Sequence, residues 1–348
     1  MAILAEPVDV VIGVDTHKHT HTAAVLNSIG GVVARLTIET TPEGYAQLVE
    51  LADSHGSTRV WSIEGTGSYG VGLCRFLQDR GETVLEVERG KRLPRRNGAK
   101  DDEIDAERAA REALAHPDLP RPRARDDRAA LAVLMNTRRS AVDAGQAAQV
   151  QLQALIVTAP EDIRTRLRDY RRDQLITVAA RLRVRRDADI ETTTYLTAIR
   201  DLARRVRLLR ADADRYEAEI KRIVTEWRPD LLELQGVGPI VAATILCAWS
   251  HHDRIPSEAA FAALAGVSPI PTSSGQIVKY RLNRYGDRQL NRAIHVIALS
   301  RSRHDRATRD YIERRRSEGK TNREIRRCLK RYIARQLYRQ LQQPLDGT

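Results

Sequence analysis

The sequence predicts an α/β plus α architecture: an α/β domain over residues 1–115, a helical region over residues 125–227 and a mainly helical region over residues 228–348. The first region alternates β-branched runs with helix-like segments, and the second contains one glycine, Gly145. The third opens on a glycine turn between two apolar segments. A chain of 348 residues is long enough for each region to bury its own core.

The first region carries the clearest succession of elements. In chain order the pattern predicts strands at 8–14, 22–26 and 32–38, a helix at 42–55, a strand at 60–63, a helix at 68–79 and a strand at 83–87. Three meandering strands, then helix, strand, helix and strand, is the order of an RNase H-like fold. In that fold the first and fourth strands are neighbours.

The second region predicts a helical coiled-coil arm. Its apolar positions alternate steps of four and three, and mostly charged residues lie between them. They are Tyr195, Ile199, Leu202, Val206, Leu209, Ala213, Tyr216, Ile220 and Ile223. Pro160 breaks an earlier helical segment, which favours a helical hairpin over one rod. The pattern predicts self-association, and a core helix of a larger bundle is the alternative.

The third region begins with a candidate nucleic-acid-binding turn. Gly236 and Gly238 lie between a predicted short apolar helix and a second helix that starts near Pro239. This pattern resembles a helix-hairpin-helix motif, in which a tight glycine turn lets backbone N–H groups approach a phosphate. The alternative is a plain helical turn with a glycine C-cap and proline at the first helical position.

Four carboxylates form a candidate metal site. Asp15 and Glu64 end two apolar strands that should be neighbours, and Asp102 and Asp105 share one face at the start of a predicted helix. Converging carboxylates are suited to two Mg²⁺ ions, which prefer hard oxygen ligands. Each residue alone has an ordinary alternative: a favourable charge at a helix N-terminus or a polar residue at a strand end.

Three histidines follow the first of these carboxylates. His17, His19 and His21 occupy alternate positions and would share a face if the strand continued. A zinc site is the alternative metal assignment that they raise. No second cluster of ligands supports it, and Cys74, Cys247 and Cys328 are too widely spaced to form one.

The positive charge is concentrated at one end. The chain has a net charge of +12, whereas residues 276–348 contain 20 Lys or Arg against seven Asp or Glu, a surplus of 13. Such a region favours a polyanionic partner, although a generally arginine-rich composition is the alternative. The residues expected to contact phosphate are Lys279, Arg281, Arg284, Arg288, Arg292, Arg323, Arg326, Arg327, Lys330 and Arg331. Aromatic residues make up only 4%, which argues against a sequence-blind single-strand binder.

A serine segment lies within the basic region. Ser273 and Ser274 precede Gly275, and a hydroxyl beside a flexible glycine and a cluster of cations has the chemistry needed to attack a phosphodiester. Serine in a polar loop is commonplace, so this signal is weak alone.

The chain also lacks a signal-peptide pattern and a long apolar segment, which predicts a cytoplasmic protein without a membrane partner.

Five segments in order, GVDTHK, IEGTG, KDDEIDA, LQGVGPIVA and ALAGVSPIPTSSG, resemble the DEDD transposases of the insertion-sequence one-ten family. The resemblance covers nearly the whole chain. It implies a RuvC-like site built from Asp15, Glu64, Asp102 and Asp105, with Asp101 as the alternative to Asp102. It also implies a serine nucleophile at Ser274, with Ser273 as the alternative.

The resemblance further implies a covalent phosphoserine link to DNA. It implies donor and target double-stranded DNA as substrates and a structured noncoding bridge RNA, encoded by the element, that pairs with both. Composite sites would form where the RuvC-like domain of one subunit meets the serine domain of another. A dimer, and a tetramer in the active complex, would follow.

Three other functions share part of this pattern. A metal-dependent junction resolvase or nuclease needs the carboxylates but not Ser274. An actin-like sugar or carboxylate kinase has a similar first strand, but the chain lacks a second glycine-rich phosphate loop. A non-catalytic binding protein with a degenerate site is the third alternative.

Overall fold

The computed structural model describes residues 8–87, 102–116, 119–184, 188–271, 280–281, 283 and 286–344. Residues 1–124 with 253–255 form one compact unit, and residues 125–252 with 256–348 form a second. The three-part division expected from the sequence stays a prediction.

The first unit is built on a mixed five-stranded sheet. Its elements are β1 (Val10–Thr16), β2 (Thr20–Asn27), β3 (Val32–Glu39), α1 (Pro42–Asp53), β4 (Arg59–Glu64), α2 (Val71–Gln78), β5 (Val84–Val87) and α3 (Asp102–Ala115). The strand order is β3-β2-β1-β4-β5, with β1 antiparallel to β2 and parallel to β4. The predicted order of elements and the neighbouring first and fourth strands are therefore confirmed, and the domain is RNase H-like.

Both faces of this sheet are covered by apolar side chains. Alternate residues of β1 belong to different cores: Ile12 packs with residues of α1 and α2, whereas Val11 packs with Ala106 and Ala110 of α3. A strand buried on both faces needs a continuous apolar run, which explains the sequence VVIGV. The central strand is thereby fixed from both sides.

The second unit is mainly helical. It contains α4 (Asp127–Thr158), α5 (Glu161–Leu167), α6 (Arg172–Ala179), α7 (Ile190–Trp227), α8 (Pro239–Trp249), α9 (Glu258–Leu264), the short strands β6 (Ile270–Pro271) and β7 (Tyr280–Arg281), α10 (Arg288–His304), α11 (Arg306–Ser317) and α12 (Asn322–Gln342). Among the helices in the described part of the chain, none is both long enough and apolar enough to cross a membrane.

The predicted apolar seam lies on α7, where it packs against α4 of the same chain. Ile199 and Val206 are fully buried and share a core with Leu152 of α4. Across the same pair of helices, Arg138 donates a hydrogen bond of 2.7 Å to Glu217. The helix α4 ends at Thr158, just before Pro160. The apolar seam of α7 is thus packed against a helix of the same chain.

A buried ion pair joins β4 to the turn before β5. Glu82 accepts hydrogen bonds from Arg59 Nε at 3.0 Å and from Trp61 Nε1 at 2.8 Å. The Arg59 and Glu82 side chains are only 10% and 13% exposed. Burial acts to raise the pKa of Glu82, but the hydrogen bonds from Arg59 and Trp61 outweigh it, so the pKa is lowered.

We expect Glu82→Gln to destabilise the first unit by about 1–3 kcal/mol, because it leaves the largely buried Arg59 guanidinium with only the exposed Asp53 as its counter-ion. A lowered carboxyl pKa stabilises the fold fully above the ordinary glutamate pKa of about 4.3, and this stabilisation is lost as pH falls through the folded pKa. Hydrogen exchange of β4 amides in the full chain, measured at neutral and acidic pH, tests both points.

The matched control is Glu50→Gln, which alters an exposed glutamate of α1 and should change stability by less than about 0.5 kcal/mol. Equal protection of β4 in the two variants at neutral pH would contradict the assigned role of Glu82.

Candidate metal centre and nucleic-acid surface

Two predicted carboxylates lie at the ends of neighbouring strands, at the same edge of the sheet. Val14 of β1 is in register with Ile63 of β4, and the next residues along these parallel strands are Asp15 and Glu64. Asp15 is only 2% exposed. The local cause is simple: parallel strands end at one edge, and the polar residue comes where each apolar run stops.

The helix α3 reaches this edge because it lies directly on β1. A Cβ atom on Gly13 would lie 2.1 Å from the carbonyl oxygen of Ala106 and 2.4 Å from the amide nitrogen of Ala110. Only glycine permits so close an approach of the two backbones. The buried Ser62 hydroxyl of β4 also donates a hydrogen bond of 2.7 Å to the carbonyl oxygen of Ala109. The sheet therefore holds α3 at two points.

The first residue of α3 meets the end of β1 through a histidine. The Nδ1 atom of His17 lies 3.6 Å from Asp15 Oδ2 and 3.8 Å from Asp102 Oδ2. One potential ligand atom from each of these three residues lies within 4.8 Å of the others. Ligands at about 2.0–2.6 Å from a single cation are about 3–5 Å apart, so this group fits a divalent metal ion.

Glu64 and Asp105 are not members of that group of three among the described residues. Asp105 lies in the first turn of α3, where its carboxylate accepts a hydrogen bond of 2.9 Å from Arg108. The backbone carbonyl of Glu64 accepts a hydrogen bond of 2.8 Å from the Thr16 hydroxyl, which ties the ends of β1 and β4 together. Asp101 lies outside the described residues.

The three histidines do not share a face. The strand β1 ends at Thr16, and the chain turns through His17 and His19 into β2. His21 is fully buried in β2, stacked on Tyr45 with ring centroids 5.9 Å apart. Burial lowers the pKa of His21, although its hydrogen bond to the Thr20 carbonyl acts in the opposite direction. His17 alone joins the candidate site, so the alternate spacing was misleading.

Two family models of known proteins match separate parts of the chain. A family model for the DEDD domain of IS110 elements, described as a transposase, matches residues 12–159, and a model described as the transposase IS116/IS110/IS902 family matches residues 229–313. The chain belongs to the IS110/IS116/IS902 family of transposases. This transposase is therefore a DNA phosphoryl-transfer enzyme, and its first matched region contains the candidate metal site.

Two relatives come from bacterial insertion elements. A 42 kDa protein of insertion element IS900 from Mycobacterium paratuberculosis is 27% identical over an alignment of 367 positions. The alignment covers 88% of this transposase and 89% of the relative. A 43.6 kDa protein of insertion element IS110 from Streptomyces coelicolor is 36% identical over 95 residues, which cover 27% of this chain and 24% of the relative.

The predicted cations of the transposase fall into two groups. Arg288 and Arg292 of α10 and Arg323 and Arg326 of α12 are exposed. In contrast, Arg327, Lys330 and Arg331 are half-buried, and Arg331 forms an ion pair with Glu258 of α9. Ser273, Ser274, Lys279 and Arg284 lie outside the described residues, as does the side chain of Arg281 in β7.

The glycine turn differs in one respect from the expected motif. The helix α8 begins at Pro239 with Gly238 as its N-cap, as predicted. The short apolar helix predicted before it is not formed: between α7 and Gly236, Pro229–Leu231 form a 3-10 turn and the chain then continues in turns. Gly236 has a φ of +84°, and a Cβ there would lie 3.1 Å from the side chain of Ser300. The turn is therefore packed against α10.

We expect Gly13→Ala to displace α3 from β1 and so to separate Asp102 from Asp15. The added methyl group would collide with backbone atoms of Ala106 and Ala110, which cannot move aside as the end of a flexible side chain can. The affinity for Mn²⁺, measured by calorimetry, should fall at least about tenfold, with a loss of stability of about 1–3 kcal/mol from overpacking. Gly67→Ala is the matched control, since a Cβ there would meet nothing within 4 Å. Wild-type Mn²⁺ affinity in folded Gly13→Ala would refute this dependence.

His17→Ala should also weaken Mn²⁺ binding at least about tenfold, and Mg²⁺ binding less, because imidazole suits transition metals better than it suits Mg²⁺. Nitrogen hyperfine coupling in the Mn²⁺ electron paramagnetic resonance spectrum should vanish with it. His19→Ala, which removes a neighbouring exposed histidine, should leave both affinities and the coupling unchanged. Coupling that persists in His17→Ala would exclude His17 as a ligand.

Proposed function

We propose that this transposase cuts and rejoins DNA at a metal site formed by Asp15, Glu64, Asp102 and Asp105, with His17 beside it. The observation that supports this proposal is the grouping of Asp15, His17 and Asp102 where β1 ends and α3 begins. A metal ion held there would stabilise the negative charge that develops on the phosphate oxygens during DNA phosphoryl transfer.

Two Mg²⁺ ions would suit this set of ligands. Paired metals in such enzymes lie about 3.5–4 Å apart, so four carboxylates need not surround a single ion. Asp15 and Asp102 would then hold one position with His17, while Glu64 and Asp105 would complete a second. When bound, the metal ions would polarise the phosphate and stabilise the attacking and departing oxygens.

The proposed nucleophile for strand exchange is Ser274. Its Oγ would attack phosphorus with a lone pair, forming an Oγ–P bond while a P–O ester bond to the adjoining sugar breaks. The departing sugar oxygen keeps the bond's electron pair and takes up a proton, and the serine proton passes to solvent. The strand stays attached as a phosphoserine diester. Attack by the hydroxyl of another strand reverses these steps and releases the serine.

We also propose that target choice is delegated to an element-encoded bridge RNA acting in a homo-oligomer of the transposase. The exposed cations Arg288, Arg292, Arg323 and Arg326 supply phosphate contacts that DNA and RNA share. The glycine turn at Gly236 and Gly238 is the proposed backbone contact to a phosphate. Ser274 of one subunit would act beside the carboxylates of another.

The test is a reaction of the full chain with Mg²⁺, the element-derived RNA, and donor and target DNA, resolved on denaturing gels. Wild type should give a protein–DNA adduct and joined strands. Asp15→Asn should reduce cleavage at least about a thousandfold, and Ser274→Ala should abolish both the adduct and the joined product.

Ser273→Ala is the matched control for the serine, and it should retain the adduct. Cleavage that persists in Ser274→Ala without an adduct would indicate a water-using nuclease or junction resolvase. Full activity of Asp15→Asn would contradict the metal site itself.

A further inference from the structure

The second unit contains a cavity of about 310 Å³ between the segment that follows α9 and one side of α12. Its first wall is the segment Gly266, Val267, Ser268 and Pro269, and its second wall includes Arg327, Lys330, Arg331 and Tyr332. Small-ligand pockets start at about 300 Å³, so this cavity is large enough for one small ligand but not for a duplex.

The first wall is held by hydrogen bonds. The amide of Val267 donates to the carbonyl of Ala262 at 2.9 Å, and Asn291 Nδ2 of α10 donates to the carbonyl of Ala265 at 2.7 Å. Gly286 approaches the same segment so closely that a Cβ there would lie 2.5 Å from the carbonyl oxygen of Leu264. The wall is therefore preorganised.

The opposite wall carries an excess of positive charge. Lys330 is half-buried, and its Nζ donates a hydrogen bond of 2.6 Å to Asn291 Oδ1, a neutral acceptor. Over the described part of the chain, Lys330 and Arg327 have no carboxylate within 4.0 Å, whereas Arg331 and Arg335 both pair with Glu258. Burial lowers the pKa of Lys330, and the nearby charge of Arg326 lowers it further. An anion would relieve this imbalance.

An aromatic ring borders the same cavity. Tyr332 is 52% exposed, although most large apolar side chains of α12 are buried. Tyr311 contacts it in an edge arrangement with ring centroids 5.8 Å apart, and the Arg335 guanidinium lies 5.9 Å from its centroid. An exposed tyrosine flanked by arginine is suited to stacking on an unpaired base.

We propose that this cavity binds one unpaired nucleotide, with its phosphate against Lys330 and Arg327 and its base against Tyr332. The cavity size excludes a base pair, the charge selects a phosphate, and the ring selects a planar base. Such a nucleotide could belong to DNA opened during strand exchange or to a structured RNA, since both present the same phosphate and base. The proposal requires neither Ser274 nor a metal ion.

The test measures binding of the full chain in EDTA to labelled duplexes that differ only in one bulged nucleotide, prepared in DNA and in RNA. Without divalent metal, the result is independent of the proposed cleavage chemistry. Wild type should prefer a bulged duplex, DNA or RNA, over its paired counterpart by about fivefold or more. The nucleic acid that shows the preference identifies the source of the nucleotide.

Tyr332→Ala and Lys330→Gln should each remove most of that preference, whereas Tyr332→Phe should retain it because the ring remains. The matched controls are Tyr170→Ala, at another exposed tyrosine, and Arg306→Gln, at another exposed arginine; both should keep the wild-type preference. Circular dichroism confirms that each variant is folded.

A bulged 5-bromouracil should also photo-crosslink to the peptide that contains Tyr332. The proposal is overturned if wild type shows no preference in either nucleic acid, or if folded Tyr332→Ala and Lys330→Gln both keep it.

Discussion

The backbone contact between Gly13 and α3 is the constraint on which the candidate metal centre depends. Asp15 belongs to a strand buried on both faces, whereas Asp102 belongs to a helix that begins far along the chain. Their carboxylates approach His17 together because nothing larger than a hydrogen atom separates β1 from the backbone of Ala106 and Ala110. The small side chains of α3 continue this close packing along the helix. The packing of α3 on the sheet thus determines the geometry of the candidate metal site.

In the second unit, ion pairs distinguish the cations that maintain the fold from the cations that remain available to nucleic acid. Glu258 neutralises Arg331 and Arg335 and thereby attaches α9 to α12. Arg228, only 4% exposed, similarly bonds Asp230 and the last carbonyls of α12. These arginines explain part of the basic composition without any ligand. Phosphate contacts are therefore expected from the exposed cations of α10 and α12 and from the cavity beside Lys330.

Much of the first unit could be predicted from the sequence because its signals are local. The apolar run that ends at Asp15 identifies a strand, and the order of elements identifies its neighbours. The role of Gly13 could not be predicted, since it depends on a contact with Ala106 that is distant in the sequence. The place of His17 depends on where β1 ends, one residue before it, and strand ends are poorly marked in sequence. The apolar seam of α7 could be recognised in the sequence. The helix that packs against it could not, because a heptad pattern does not specify its partner helix.

The central claim is that Asp15, His17 and Asp102 hold one divalent metal ion in this transposase. Crystals of the full chain soaked in Mn²⁺, with diffraction recorded at a wavelength where manganese scatters anomalously, test it most directly. The account predicts an anomalous peak within about 2.0–2.6 Å of an oxygen of both Asp15 and Asp102 and of the Nδ1 atom of His17. A well-ordered strand end with no peak there at saturating Mn²⁺, or a peak bound by other residues, would contradict the account.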